Sequence, residues 1–181
     1  VYAAHPPGFA LASARGARRS PVHDRLVAAG AFFKDVSGWE SPDWYAGPGG
    51  SPSATASWHR APWWEQWEAE HRAVRDGVGL LDMSFMAKFL IQGPDAGPML
   101  SWLSTADVDG AAGRITYTQW LSDRGMIEAD LTITKLGPER FVVVASDTAH
   151  GRVRALLSDE IIQVLRTQRP IQGRLFRFSF G

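Results

Sequence analysis

Residues 113 to 146, GRITYTQWLSDRGMIEADLTITKLGPERFVVVAS, constrain this chain more than any other stretch. They read as three consecutive strands, and the middle one carries a carboxylate, Asp130. Arg114 to Leu121 mixes β-branched and aromatic residues, Ser122-Asp123-Arg124-Gly125 supplies a turn, Met126 to Leu136 alternates, and Phe141 to Ala145 is a short apolar run. In the middle strand Ile127, Ala129, Leu131 and Ile133 share one parity, while Met126, Glu128, Asp130, Thr132 and Thr134 share the other. The sheet therefore has an apolar face and a polar one, with Asp130 on the polar side. On pattern alone, an acid there is also what the solvated face of an antiparallel sheet carries.

Turn length decides what stands beside that acid. A two- or four-residue loop centred between Asp123 and Arg124 places Tyr117 directly across from Asp130 on the same face. A three-residue loop with Gly125 in a bulge pairs Asp130 with Thr118 and sends Tyr117 to the other side. Both turns are compatible with these residues.

At 181 residues the chain can hold one domain with a core, or one domain and an arm. With 19 basic and 19 acidic residues there is no net field to favour nucleic acid or an anionic membrane, so neither is expected as a partner. The chain has no cysteine, which excludes disulfides and thiolate chemistry, and no asparagine, which excludes an N-glycosylation sequon. No apolar run reaches the length of a membrane span, and Val1-Tyr2-Ala3 begins no signal pattern. The expected location is cytoplasmic, or the mitochondrial matrix in a eukaryote, and the missing initial Met is expected of a fragment or a processed start.

Residues 1 to 20, rich in Ala, Arg, Gly and Pro, are expected as a basic, flexible arm. Residues 21 to 61 are expected as a short helix and a Trp-rich loop. Ser20-Pro21 starts the helix and Gly30 follows its end. The stretch from Gly38 to Ala61 is too dense in Trp, Pro, Gly and Ser to form a regular element, and its tryptophans serve either as packing anchors or as a stacking platform. A core of residues 62 to 159 then begins with a helix from Pro62 to about Asp76. Its stripe of Trp64, Trp67, His71, Val74 and Val78 should face inward, with His71 at the core's edge. Glu68 and His71 match the Glu-x-x-His pattern of di-iron bundles, but no second copy exists to complete it. Short strands are expected at Leu80 to Ser84 and Lys88 to Gln92, a helix capped by Asp95 with Met99, Leu100 and Leu103 inward, and another through Val153, Leu156 and Leu157. The result is an α+β fold, a largely antiparallel sheet with helices on one face. Residues 160 to 181 are an edge strand or a tail of no clear type.

No nucleophile elbow, phosphate loop, paired zinc histidines or calcium loop occurs in the sequence. Asp107 and Asp109 beside Gly110-Ala111-Ala112-Gly113 read as turn residues. The remaining polar candidates are Asp130, Glu128, Tyr117 and Ser146, so chemistry hosted here would use carboxylate and hydroxyl groups with an organic cofactor.

Those residues carry a resemblance. GPDA at 93 to 96, Tyr117-Thr118, the run Gly125-Met126-Ile127-Glu128-Ala129-Asp130-Leu131 and FVVVAS occur in the order of the aminomethyltransferase folate-binding domain, the glycine-cleavage T-protein family. RGARRSPVHDRL, GAFF, GWESPDWY and EHRAVRDGVGLLDMS resemble the form fused to flavin-dependent dimethylglycine and sarcosine dehydrogenases and oxidases. The resemblance spans about residues 12 to 158. It implies tetrahydrofolate-dependent one-carbon transfer from a methylated-amine or iminium substrate, with FAD only in a partner domain, in cis or in trans. It places Asp130 on the family's catalytic aspartate, Tyr117 on a tyrosine lining the folate, and Ser146 on a strand-end position that contacts the pterin. A carboxylate suits that chemistry, because it can orient a weakly nucleophilic aryl amine, take its proton and stabilise a cationic iminium. In three places the chain departs from the pattern. The usual double glycine is Gly125-Met126, an aspartate two residues before Asp130 is Glu128, and the match stops after about half of the family's domain. The alternatives are a non-catalytic folate-binding or subunit-interaction module, or an inactive fragment.

Overall fold

The computed structural model describes residues 4, 12–13, 15–47, 50–53, 58–166 and 179–180, with side chains described up to residue 159. The chain divides into two compact units, residues 1–85 and 86–181.

The first unit contains helix α1 (His23–Ala28), strands β1 (Ala31–Val36) and β2 (Trp39–Tyr45), and helix α2 (Trp64–Asp76). Ser20-Pro21 makes a turn before α1, closed by His23 N–H donating to the Ser20 carbonyl (3.1 Å), so the helix begins two residues later than the expected cap. Gly30 stands just past it at φ +81°, a left-handed conformation suited to glycine. The expectation that residues 38 to 61 hold no regular element fails at β2, which pairs antiparallel with β1 from Val36↔Trp39 to Ala31↔Tyr45. Pro42 is tolerated because the sheet has only two strands and a bulge lies between Phe32 and Phe33. Trp44 is buried between Phe32 and Trp63, with ring centroids at 5.5 and 5.9 Å.

Part of the expected arm is attached. Glu40 N–H donates to the Arg18 carbonyl (2.9 Å), and Arg15 grips the buried Glu40 carboxylate, with Nε at 2.9 Å from Oε1. Helix α2 forms where its periodicity places it, yet none of its residues is buried; Trp64, Trp67 and Val74 are exposed. His71 donates one bond, Nδ1–H to the Trp67 carbonyl at 2.8 Å, but at an exposed position. Glu68 pairs with Arg72 one turn along the helix. The expected strand at Leu80 to Ser84 is absent, and Leu80 is almost wholly exposed.

The second unit is a sheet in the order β4-β5-β6-β3-β7, with every pair antiparallel. Its strands are β3 (Ala87–Gln92), β4 (Ile115–Leu121), β5 (Ile127–Gly137), β6 (Arg140–Ala145) and β7 (Ser179–Phe180). Two helices, α3 (Ala96–Leu103) and α4 (His150–Arg166), cover one face. Alternation puts Phe89, Ile91, Trp120, Leu131, Ile133, Phe141 and Val143 against Met99 and Leu100 of α3 and Val153 and Leu157 of α4. Asp95 occupies the N-cap position of α3 without a side-chain cap bond, and Pro98 lies in its first turn as expected. Ser179 and Phe180 add an edge strand beside β3, while residues 167–178 lie outside the described part.

Candidate functional site

The face of this sheet away from the helices is open. Tyr117 and Gln119 from β4, Asp130 and Thr132 from β5, Val142 and Val144 from β6, and Leu90 from β3 stand on it, half-buried or exposed. Asp130 is exposed and Tyr117 is 64% accessible.

Of the two turns compatible with the sequence, the structure has the three-residue one and not the even-length loop. Ser122 N–H donates to the Met126 carbonyl and Gly125 N–H to the Ser122 carbonyl, both at 2.8 Å, with Gly125 at φ +74°. Those bonds close a three-residue loop ending in a glycine bulge. By itself that loop would put Tyr117 and Asp130 on opposite faces. A second irregularity restores them: Leu121 pairs with Ile127, but Trp120 pairs with Ala129, so Glu128 is an extra residue. Past it the register is Gln119↔Asp130 and Tyr117↔Thr132, and Tyr117 lies diagonal to Asp130 on the same face. The same bulge explains why Ile127 is 67% exposed despite sharing the parity of buried Ala129 and Leu131.

Both oxygens of Asp130 are held. Tyr117 Oη donates to Oδ2 at 2.8 Å, and Gln119 Nε2 donates to Oδ1 at 3.3 Å. No Lys or Arg pairs with Asp130 among the described residues. The Tyr117 hydroxyl is pushed above its ordinary pKa, chiefly because its proton is given to Asp130, with desolvation adding to it.

Glu128 is re-aimed by the bulge and accepts from Arg152 Nε of α4 at 2.7 Å, which lowers the pKa of its carboxyl. It pins helix to sheet and does not join Asp130. Ser146 follows the last β5–β6 pair, Leu131↔Ala145, so the register carries it to the position across from Asp130. Its hydroxyl, however, meets Thr148 Oγ1 at 3.2 Å. The structure therefore brings Tyr117 and Asp130 into contact, and brings Ser146 to the end of their row without a bond to either. Gln119 escaped the sequence reading because neither simple turn pairs it with Asp130; only two successive bulges do. Asp107 accepts from Ser101 and from Asp109 N–H, as a turn residue does. Among the described residues there is no group of three or more His, Cys, Asp or Glu arranged to hold a metal, and no helix long and apolar enough to cross a membrane.

An antiparallel sheet with both helices on one face and a hydrogen-bonded Tyr–Asp pair on the other defines an α+β fold class. Residues 22–172 match the GCVT N-terminal domain, and the chain belongs to that family. It is similar to 4-methylaminobutanoate oxidase (formaldehyde-forming) of Paenarthrobacter nicotinovorans, with 41% identity over 87% of this chain and 19% of the relative. With human mitochondrial sarcosine dehydrogenase it shares 30% identity over 68% of this chain and 16% of that protein. In fold it resembles the glycine cleavage system aminomethyltransferase T from Bartonella henselae, with a TM-score of 0.60 at 22% identity, covering 89% of this chain and 37% of that one. The chain thus spans about a fifth or less of the two oxidoreductase relatives.

Proposed function

We propose that this chain is part of a tetrahydrofolate-dependent one-carbon transfer domain of a flavin-linked oxidative demethylase, with Asp130 as its base and electrostatic catalyst. The observation that carries the reading is how the Asp130 carboxylate is held: two neutral donors fix its direction, and among the described residues no Lys or Arg pairs with it. A carboxylate so held is directed at a ligand that brings a proton or a positive charge.

The surrounding groups fit a folate. Hydroxyls and an amide stand beside half-buried Val142, Val144 and Leu90, a mixture suited to a flat ring with polar edges. Tyr117 and Asp130 would hold it, with Ser146 at the end of the row. Tetrahydrofolate, when bound, supplies the amine nitrogen that accepts the one-carbon unit. Asp130 takes the proton from that nitrogen and offsets the positive charge of the incoming methylated-amine or iminium substrate. Tyr117, held neutral by its raised pKa, fixes Oδ2 without competing as an acid. The oxidation belongs to an FAD-bearing part, in the same protein or in a partner. The names of the oxidase and dehydrogenase relatives support that reading.

The exposed tryptophans of α2 favour a second reading, a module that binds without catalysing. Calorimetry with tetrahydrofolate on the full-length protein separates the two. Saturable binding, weakened about tenfold or more by Tyr117→Ala and by Asp130→Ala, supports the first. A well-folded protein that binds no folate supports the second.

A further inference from the structure

Gln119 has a hydrogen-bond environment that fixes which way its amide points. The segment after α3 runs beside β4: Thr105 N–H donates to the Gln119 carbonyl (3.1 Å), and Ser104 bridges Trp120. This brings the Thr105 hydroxyl against the side chains of β4. Thr105 Oγ1 lies 3.2 Å from Thr118 Oγ1, accepts from Gln119 N–H at 3.4 Å, and donates to Gln119 Oε1 at 3.5 Å. Thr118 Oγ1 is buried and accepts from Ala106 N–H at 3.2 Å. One hydroxyl carries one proton, so the chain has a consistent sense: Thr118 gives its proton to Thr105, and Thr105 gives its own to Gln119 Oε1. With Oε1 engaged, only Nε2 can face Asp130, and it does, at 3.3 Å from Oδ1.

We propose that Gln119, oriented by Thr105, is the positioning residue of Asp130 and acts with Tyr117 to fix the carboxylate for transfer. The proposal rests on the catalytic reading of Asp130, but it makes a claim about the carboxylate that does not need catalysis. Of the ionisable groups described, Tyr117 on β4 bonds Asp130, and Glu128 on β5, two residues away, is paired with Arg152 on α4. Removing the amide donor leaves Oδ1 of Asp130 unheld, so the carboxylate is free to turn about the Tyr117 bond.

The test is the side-chain amide signal of Gln119 in nitrogen-15 spectra of the full-length protein, assigned by its loss in Gln119→Leu. The two Nε2 protons are expected to stand apart in wild type and to move toward the values of a free glutamine side chain in Asp130→Asn and in Thr105→Val. Gln119 is half-exposed, so its variants keep the fold, and backbone amide spectra verify it. In parallel, one-carbon transfer by Gln119→Leu should fall about tenfold in kcat with little change in KM for folate. A Gln119 amide signal unchanged in Asp130→Asn and in Thr105→Val would overturn the positioning role, whatever the activity. A changed signal in a protein that transfers nothing would instead overturn the catalytic reading and leave the geometry standing.

Discussion

At the scale of single residues, the contact that most needs explaining is a tyrosine hydroxyl on a carboxylate at an exposed position. Water competes for both groups, so the bond persists because the sheet holds the two side chains in one diagonal, and Gln119 steadies the acid from the other side. The raised pKa of Tyr117 gives this a readout. A group whose folded pKa lies above its unfolded value stabilises the fold fully below the unfolded value, near pH 10 for tyrosine, and that contribution fades as pH rises through the folded value. Asp130→Asn removes the acceptor charge, so the Tyr117 midpoint is expected to drop toward the ordinary value in an ultraviolet titration referenced to Tyr117→Phe. An unmoved midpoint would contradict the bond. Glu40 shows the opposite sign. Arg15 and the Gly16 N–H hold its carboxyl at about 2, first through the Arg15 hydrogen bonds. Its contribution is therefore present above the usual carboxylate value and is lost as pH falls from there toward about 2. Arg15→Ala should cost roughly 2 kcal/mol in urea unfolding at neutral pH, and the variant should lose less on acidification than the wild type.

At the scale of elements, the three strands from 113 to 146 and the helices at 64, 96 and 150 were legible because alternation and 3.6-residue periodicity leave a direct trace in residue order. The face of Asp130 was legible for the same reason. The register was not, because a bulge changes which residues oppose each other without changing the pattern of either strand. Ser122 to Gly125 encodes its loop through Gly125, but nothing in Ile127-Glu128 marks the second bulge; that follows from burying Trp120 against the helices while keeping the Glu128–Arg152 pair. The hairpin of β1 and β2 was hidden by Pro42 and by tryptophans that read as loop anchors. Helix α2 was legible as a helix, but periodicity says which residues share a face and not what covers it. Deleting Glu128 tests the bulge. With the extra residue gone Ala129 follows Ile127 directly and the pairs Trp120↔Ala129 and Gln119↔Asp130 are kept, so the raised Tyr117 midpoint should survive the deletion, and its return to the ordinary value would contradict the register. Gly125→Ala, which forces a side chain into φ +74°, should cost about 1 kcal/mol in thermal unfolding without disturbing that midpoint.

At the scale of the whole molecule, two compact units carry different parts of the account. The second holds the Tyr117–Asp130–Gln119 group on an open face, and the first exposes Trp64, Trp67 and Val74 along one helix. The chain covers 37% of the T-protein it resembles in fold and a fifth or less of its oxidoreductase relatives, so its chemistry is to be read in the intact protein. On the proposed reading the two half-reactions can be separated there, with amine oxidation in a flavin part and one-carbon capture at Asp130. The decisive measurement follows both in one assay, methylated-amine oxidation by reduction of an electron acceptor and methylenetetrahydrofolate formed, in wild type and Asp130→Asn. Asp130→Asn is expected to lower folate product formation about a hundredfold or more while amine oxidation stays within about twofold. Equal loss of both activities, or unchanged folate product in the variant, would contradict it.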